Sequence, residues 1–154
     1  MSSLNPVWSK LKYFKPDSKS DNWGDPAKIN PNLLLNLDAY RAAIGIPVVV
    51  TSGTGGTHEP NSQHYLGNAA DIQFPTMKQP LFELYLMAER FHFTGIGIYP
   101  HWQYNGYKIG GLHVDIRPLG VNEAAHRWLG ISKNGKQEYI AFSYQNLKTY
   151  GLLS

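Results

Sequence analysis

Residues 62–72 read SQHYLGNAADI, a stretch that places His64 and Asp71 seven positions apart on either side of a potential turn. Gly67 and the asparagine after it tolerate a positive φ, so the chain is predicted to reverse direction here. The residues that follow, AADIQF at 69–74, have the composition of a strand. The reversal is therefore expected to bring Asp71 back toward the His64 imidazole.

A second polar pattern lies in LHVDIRP at 112–118. Successive side chains of a strand point to opposite faces, so His113, Asp115 and Arg117 share one face while apolar residues fill the other. Such a face predicts a polar site built on a sheet. The stretch GIGIYP at 95–100 alternates as well, with glycines that leave room on one face, and the two stretches are predicted to form a β-hairpin.

Helical patterns flank these strands. NPNLLLNLDAYRAAIG at 30–45 combines Asn30 as a cap, a proline at the first helical position and Gly45 as the end of the helix. QPLFELYLMAERFHF at 79–93 predicts a second helix. NEAAHRWLG at 122–130 predicts a short third helix, followed by a mixed tail.

The order of these elements, with a buried strand predicted for IPVVVTS at 46–52, indicates an α+β fold. We expect a mostly antiparallel central sheet with helices packed on one side. A length of 154 residues suits one hydrophobic core, so residues 1–154 are interpreted as a single domain.

The composition narrows the classes of function. Hydrophobic residues make up 42% and charged residues 16%, which excludes a disordered chain. The net charge is +3, but no run of about five basic residues occurs, so a nucleic-acid partner rests on the basic pI alone and is not expected. Cysteine is absent, so any metal site must use histidines and carboxylates.

The apolar patterning bears on localisation. No stretch approaches about 18 apolar residues, so no membrane span is expected. The first residues lack the apolar stretch of a signal peptide, and we expect a protein that is cytoplasmic at synthesis. We also expect a monomer.

The motifs together resemble a known family. SQHYLGNAADI matches the S-x-H-x-x-G-x-A-x-D pattern of the D-Ala-D-Ala carboxypeptidase and L-alanyl-D-glutamate endopeptidase family of zinc peptidases, which is related in fold to lysostaphin and hedgehog domains. VVVTSG, TGIGIYP and LHVDIR resemble three further strands of the family, and the helix at 30–45 resembles the one that precedes them. The resemblance runs from about residue 14 to residue 117 and leaves 118–154 as a C-terminal extension.

The resemblance implies that His64, Asp71 and His113 bind one zinc ion. Three ligands of this kind leave one tetrahedral position open, as in catalytic zinc sites. Zinc there supplies Lewis-acid activation of water and of a substrate carbonyl. The remaining histidines at 58, 92 and 126 are interpreted as bystanders.

The chain departs from the family pattern at two places. Family members usually carry an acidic general base three positions before the last ligand, where this sequence has Gly110. They also usually carry an arginine soon after the Ser-Gly turn that meets a substrate carboxylate. The loop SGTGGTHEPN at 52–61 contains none. The identity of the base and of the groups that bind the substrate end is therefore open.

Two residues are candidates for the missing base, namely Asp115 and His101. Asp115 is expected chiefly to orient a ligand, and His101 has the alternative of a plain loop histidine. Candidate substrate-binding residues are Ser62, Tyr99 and Arg117. For each a structural alternative stays open: a turn contact for Ser62, core packing for Tyr99 and pairing with Asp115 for Arg117.

The resemblance implies a zinc-dependent peptidase that hydrolyses peptidoglycan stem or cross-link peptides at the bacterial cell wall. An endopeptidase is favoured over a D,D-carboxypeptidase because the arginine for a terminal carboxylate is missing. The absence of a signal-peptide pattern is in keeping with a phage endolysin. The alternative is a catalytically weak or inactive zinc-stabilised module that binds the cell wall.

Overall fold

One six-stranded sheet organises the chain. The computed structural model describes residues 3–154, and the strand order is β1-β2-β4-β3-β5-β6. All neighbouring strands run antiparallel except β3 and β5, which are parallel. The strands are β1 (Val49–Ser52), β2 (Ala69–Gln73), β3 (Gly95–Tyr99), β4 (Gly111–Asp115), β5 (His126–Lys133) and β6 (Lys136–Ala141).

Three α-helices accompany the sheet: α1 (Pro31–Ile44), α2 (Leu81–Ala88) and α3 (Tyr144–Thr149). Helix α1 has the predicted ends, because the Asn30 side chain accepts a hydrogen bond from the backbone of the first turn and Gly45 adopts a φ of 71°. Two 3₁₀ turns, Pro6–Lys10 and Pro26–Lys28, precede it. Within residues 3–154, none of the helices combines the length and apolar character needed to cross a bilayer.

The helices cover one face of the sheet, which confirms the predicted α+β arrangement. The Tyr40 hydroxyl donates a hydrogen bond of 2.7 Å to the carbonyl of Leu84, which ties α1 to α2. The fully buried side chains of this core come from both layers: Leu33, Leu34, Leu37 and Tyr40 from α1, and Val50, Ile72, Ile96, Ile98, Leu112 and Val114 from the strands. The opposite face of the sheet carries the polar residues.

The helix predicted at 122–130 is wrong, since this segment enters β5 at His126. The alanines and glutamate favour a helix locally, but Leu129 and Ile131 are buried when the segment pairs along the free edge of β3. Asn134 and Gly135 both have positive φ and form the two-residue turn into β6. The segment treated as an extension therefore supplies two strands of the same sheet.

Candidate metal centre

A cavity of about 820 Å³ opens on the polar face of the sheet. Its floor holds His64, Asp71 and His113. One side is formed by residues 57–63, hereafter the loop wall. The other side is formed by aromatic and amide side chains: Tyr99, Trp102, Trp128, Gln137 and Tyr139.

The structure brings His64, Asp71 and His113 together. Asp71 Oδ1 lies 3.2 Å from His64 Nε2 and 3.1 Å from His113 Nδ1. Asp71 on β2 pairs directly with His113 on β4, so the register of the sheet sets this contact. His64 reaches it through the turn that SQHYLGNAADI predicts, in which Gly67 has a φ of 75°. Two ring nitrogens therefore face one carboxylate oxygen.

The other nitrogen of each imidazole is held from behind. His64 Nδ1 lies 2.8 Å from the carbonyl oxygen of Gly53, which can only accept a hydrogen bond. His113 Nε2 lies 2.7 Å from Asp115 Oδ2. Metal-binding histidines in proteins typically donate their second N–H to a carbonyl or carboxylate in this way, which fixes the tautomer and the ring orientation. The two imidazoles and the Asp71 carboxylate, oriented by the Gly53 carbonyl and by Asp115, therefore fit a metal ion.

Asp115 is buried beneath this centre and does not line the cavity. Its carboxylate also accepts hydrogen bonds from the Arg117 guanidinium, with Nε 2.9 Å from Oδ1. Burial by itself raises the pKa of Asp115, but the bonds from Arg117 and His113 outweigh it and hold the pKa well below its usual range. Gly95 makes room for the carboxylate, since a Cβ there would lie 2.3 Å from its oxygens.

The charges around the floor favour a cation. Burial acts to raise the pKa of Asp71, but the hydrogen bonds from His113 and His64 lower it overall, so the carboxyl is ionised. Burial acts to lower the pKa of His113, whereas Asp115 and Asp71 raise it to about 9. Positive charge is thus stabilised at the point that these groups surround.

His58 extends the cluster, although the sequence interpretation set it aside. One donor atom each from His58, His64 and Asp71 lie within 4.8 Å of one another, a set that could also hold a metal ion. The His58 and His64 rings, however, are stacked with centroids 3.9 Å apart and planes 7° apart, whereas the His64 and His113 planes cross at 76°. An imidazole donates its lone pair in the ring plane, so the crossed rings of His64 and His113 are better oriented toward one ion than the stacked rings of His58 and His64. This geometry favours His113 over His58.

Residues on either side of the loop wall keep His58 in place. His58 Nε2 lies 2.9 Å from the carbonyl oxygen of Gly55, and the His58 backbone N–H donates to the Tyr65 hydroxyl. Ser62 also contributes, since its hydroxyl accepts a hydrogen bond from the backbone of His64 and the residue lines the cavity. Nothing in the spacing of His58 within its glycine-rich loop distinguishes it from a surface histidine.

The other residues that the sequence singles out lie in different places. Tyr99 lines the cavity, and its hydroxyl accepts a hydrogen bond of 2.9 Å from the Trp128 indole. Arg117 lines it too, but its guanidinium is paired with Asp115. His101 is not among the residues that line the cavity, and its Nδ1 accepts a hydrogen bond from the backbone N–H of Ser132.

The surroundings of Gly110 explain why no acidic side chain lies three positions before His113. Its φ is 74°, and a Cβ there would lie 2.7 Å from the Leu81 side chain. Its backbone is also engaged, with the N–H donating to the carbonyl of Trp102 and the carbonyl accepting from Gln73. A glutamate would meet both a strained backbone and a steric contact.

Trp128 is a cavity residue that the sequence interpretation missed, because it fell in the segment predicted as a helix. It sits on β5 across Gly97 from His113, and its ring centroid lies 5.1 Å from that of His113. A Cβ at Gly97 would lie 2.5 Å from the indole. The glycines of β3 therefore allow β5 to bring an aromatic side chain to the metal centre.

Two histidines and a carboxylate on the polar face of an α+β sheet, open to a groove, are typical of a hydrolytic metal site. A family model for Peptidase M15 matches residues 14–105, well over half of the chain. The chain belongs to this family of D-Ala-D-Ala carboxypeptidase-like zinc peptidases, which confirms the resemblance seen in the sequence.

Membership of this family supports a metallopeptidase, and the members of the family are zinc-dependent. No curated protein matches the chain. The matched segment contains His64 and Asp71 but ends before His113. The position of His113 beside Asp71 is therefore an observation independent of the family assignment.

Proposed function

We propose that the chain is a zinc-dependent peptidase that hydrolyses peptidoglycan stem or cross-link peptides, and that it acts as an endopeptidase. The observation that carries this proposal is that Asp71 Oδ1 lies 3.2 Å from His64 Nε2 and 3.1 Å from His113 Nδ1 at the floor of an open groove. Three protein ligands of this kind match a catalytic zinc site, which keeps a position for water or substrate.

In this proposal His64, Asp71 and His113 would hold the ion, with His64 Nε2, Asp71 Oδ1 and His113 Nδ1 as the donor atoms. Zinc supplies Lewis-acid activation of water and of the scissile carbonyl. Asp115 is a positioning residue: it keeps the proton of His113 on Nε2, so that the Nδ1 lone pair faces the centre. Arg117 in turn fixes the Asp115 carboxylate.

Proton transfer falls to His58 in the absence of an acid at position 110. The carbonyl of Gly55 only accepts hydrogen bonds, so His58 Nε2 carries the proton and Nδ1 is the basic nitrogen. His58 lies within reach of His64 and Asp71 and lines the cavity. We infer that Nδ1 takes a proton from the attacking water and returns it to the leaving amine. The buried Asp115 and the outlying His101 are less suited to this step.

The preference for an endopeptidase rests on charge. A carboxypeptidase must neutralise the terminal carboxylate of its substrate. Among the described residues that line the cavity, Arg117 is the one lysine or arginine, and Asp115 already pairs with it. An internal peptide bond presents no such carboxylate next to the cleaved bond, and the open groove accommodates chain on both sides.

The test is digestion of purified peptidoglycan from several bacteria, with products identified by mass spectrometry. We expect new amine ends within stems or cross-links, loss of activity with a chelator and recovery with added zinc. His64→Ala is expected to be inactive, whereas His92→Asn, an exposed histidine with a φ of 59° that asparagine tolerates, is the matched control. Release of free D-alanine alone would indicate a carboxypeptidase, and no metal-dependent product on any wall would reject the proposal.

A second candidate is a zinc-stabilised module that binds the wall with little or no catalysis. It is favoured by Gly110, which stands where family members usually carry the acidic base. The positive φ and the close Leu81 side chain disfavour an acidic residue at this position. This candidate would be supported over the peptidase if the protein contained stoichiometric zinc and bound cell walls saturably. It should then release no product from wall preparations that an active peptidase cleaves.

A further inference from the structure

The cavity continues beyond the metal centre along a surface that we call the aromatic wall, formed by Trp102, Trp128, Gln137 and Tyr139. All four line the cavity opposite the loop wall. Three of them belong to β5 and β6, outside the residues that the family model matches. The family assignment therefore does not account for this surface.

The polar atoms of the aromatic wall are already paired with one another. The Trp102 indole N–H donates to Gln137 Oε1 at 3.3 Å, and Gln137 Nε2 donates to the Tyr139 hydroxyl at 3.0 Å. The Trp128 indole N–H donates to the hydroxyl of Tyr99. What the wall offers a ligand is consequently ring surface more than hydrogen-bond donors. Tyr139 is the most open of these rings, since Tyr99 stacks on Trp102 and the Arg117 guanidinium lies 5.2 Å from the Trp128 ring centroid.

The wall is also held rigid while staying accessible. Trp102 stacks on Tyr99 with ring centroids 4.0 Å apart and planes 16° apart. Tyr139 is 56% exposed, and its strand β6 lies at the edge of the sheet. An aromatic side chain left this exposed on an edge strand adds little to the core, but together with Trp102 and Trp128 it gives the cavity an aromatic lining, which favours a binding surface.

The two sides of the cavity differ in charge. The loop wall carries Glu59 and His58, whereas the aromatic wall has no group that is charged at neutral pH, and the neighbouring Arg117 is neutralised by Asp115. Burying a charge without a partner is costly, so the aromatic wall suits an uncharged ligand. The negative face of an aromatic ring attracts the weakly positive C–H bonds on one face of a pyranose.

We propose that the aromatic wall is a saccharide subsite that stacks an uncharged amino-sugar ring of the glycan strand. This inference rests on the proposed function: the stem peptide, which carries carboxylates and amines, lies along the loop wall and the metal centre. A cavity of about 820 Å³ is near the upper end of ligand sites and has room for both parts.

The first test measures binding to the full-length protein, without hydrolysis. The probe is the N-acetylglucosamine tetramer, which carries no stem peptide to cleave; it is titrated against the zinc-loaded protein and followed by tryptophan fluorescence and calorimetry. We expect saturable binding that Tyr139→Ala weakens at least fivefold, while Tyr139→Phe, which keeps the ring face, retains most of it. Tyr144→Ala, at a tyrosine on α3 that is 66% exposed, is the matched control and should bind as the unaltered protein does.

The second test compares substrates. With glycan-linked stems, Tyr139→Ala is expected to raise KM at least fivefold with little change in kcat, and the effect should be smaller on the same peptide freed from its glycan. Equal effects on both substrates, or no tetramer binding, would overturn the subsite.

The two proposals fail separately. Tetramer binding that depends on Tyr139, in a protein that cuts no peptidoglycan, would uphold the subsite and reject the peptidase. Cleavage of peptidoglycan by a protein that does not bind the tetramer would uphold the peptidase and reject the subsite. Circular dichroism of each variant checks that the strand pairing of β6 is intact.

Discussion

The metal centre and the aromatic wall lie on the same face of one sheet but are built on different principles. At the metal centre, His64 and His113 are nearly fully buried, and each ring has one nitrogen held by a carbonyl or carboxylate oxygen and the other facing Asp71. At the aromatic wall, Gln137 and Tyr139 are exposed on an edge strand. The metal centre is therefore fixed by buried, paired groups, whereas the aromatic wall consists of more exposed side chains that contribute less to the core.

The largest effect is expected at Asp71, where the two imidazoles meet. Asp71→Asn preserves shape but removes the charge that attracts a cation, so zinc affinity should fall by more than about 100-fold, beyond the loss typical for an outer partner. Metal analysis after competition with a chelator measures this, with circular dichroism to confirm folding. If the variant keeps its zinc, the metal centre does not depend on Asp71 and the comparison fails.

His58 separates metal binding from proton transfer. Because the stacked rings are poorly oriented toward one ion, His58→Ala should retain zinc while kcat falls by about 100-fold or more, the range for loss of a general base. Steady-state kinetics and zinc content are measured on the same preparation. Loss of zinc from His58→Ala would indicate that His58 is a metal ligand. An inactive His101→Ala beside an active His58→Ala would move the proton-transfer role to His101.

Gly110 tests whether the missing acid can be restored. Gly110→Glu should lower the free energy of unfolding by more than about 1–2 kcal/mol, the cost of a left-handed backbone, because the side chain also meets Leu81. The matched control is Gly106→Glu, which has a φ of 83° but open space around its Cβ. Denaturant unfolding gives both values. Equal destabilisation would show that backbone strain alone excludes the acid.

The smallest effect is expected on the aromatic wall. Gln137→Ala removes two exposed hydrogen bonds, so the free energy of unfolding should change by less than about 1 kcal/mol, and zinc content should be unaffected. Thermal unfolding and metal analysis check both quantities. A loss comparable to that of Gly110→Glu would mean that the wall supports the fold, contrary to its exposure.

Local signals predicted a large part of this molecule. Asn30, the proline after it and Gly45 set the ends of α1, since capping depends on residues within one turn. The alternation in LHVDIRP placed His113 and Asp115 on one face and Leu112 and Val114 in the core. These patterns repeat with the period of the element itself, so a short window suffices to recognise them.

Other features lay beyond any short window. The segment 122–130 has the composition of a helix, yet from His126 onward it forms strand β5 because β3 offers an unpaired edge. The stacking of His58 on His64 depends on the path of a glycine-rich loop. Such outcomes follow from contacts between residues that are distant in sequence, which propensity does not report.

The amino-acid sequence by itself determined the helix α1, the turn between His64 and Asp71 and the polar face of β4, because each is encoded by neighbours along the chain. Only the tertiary structure decided that Asp71 opposes His113, that Arg117 is occupied by Asp115 and that β5 and β6 complete the cavity. The physical reason is that sheet register and burial are settled by strands meeting in space, where a glycine on one strand makes room for an aromatic ring from another.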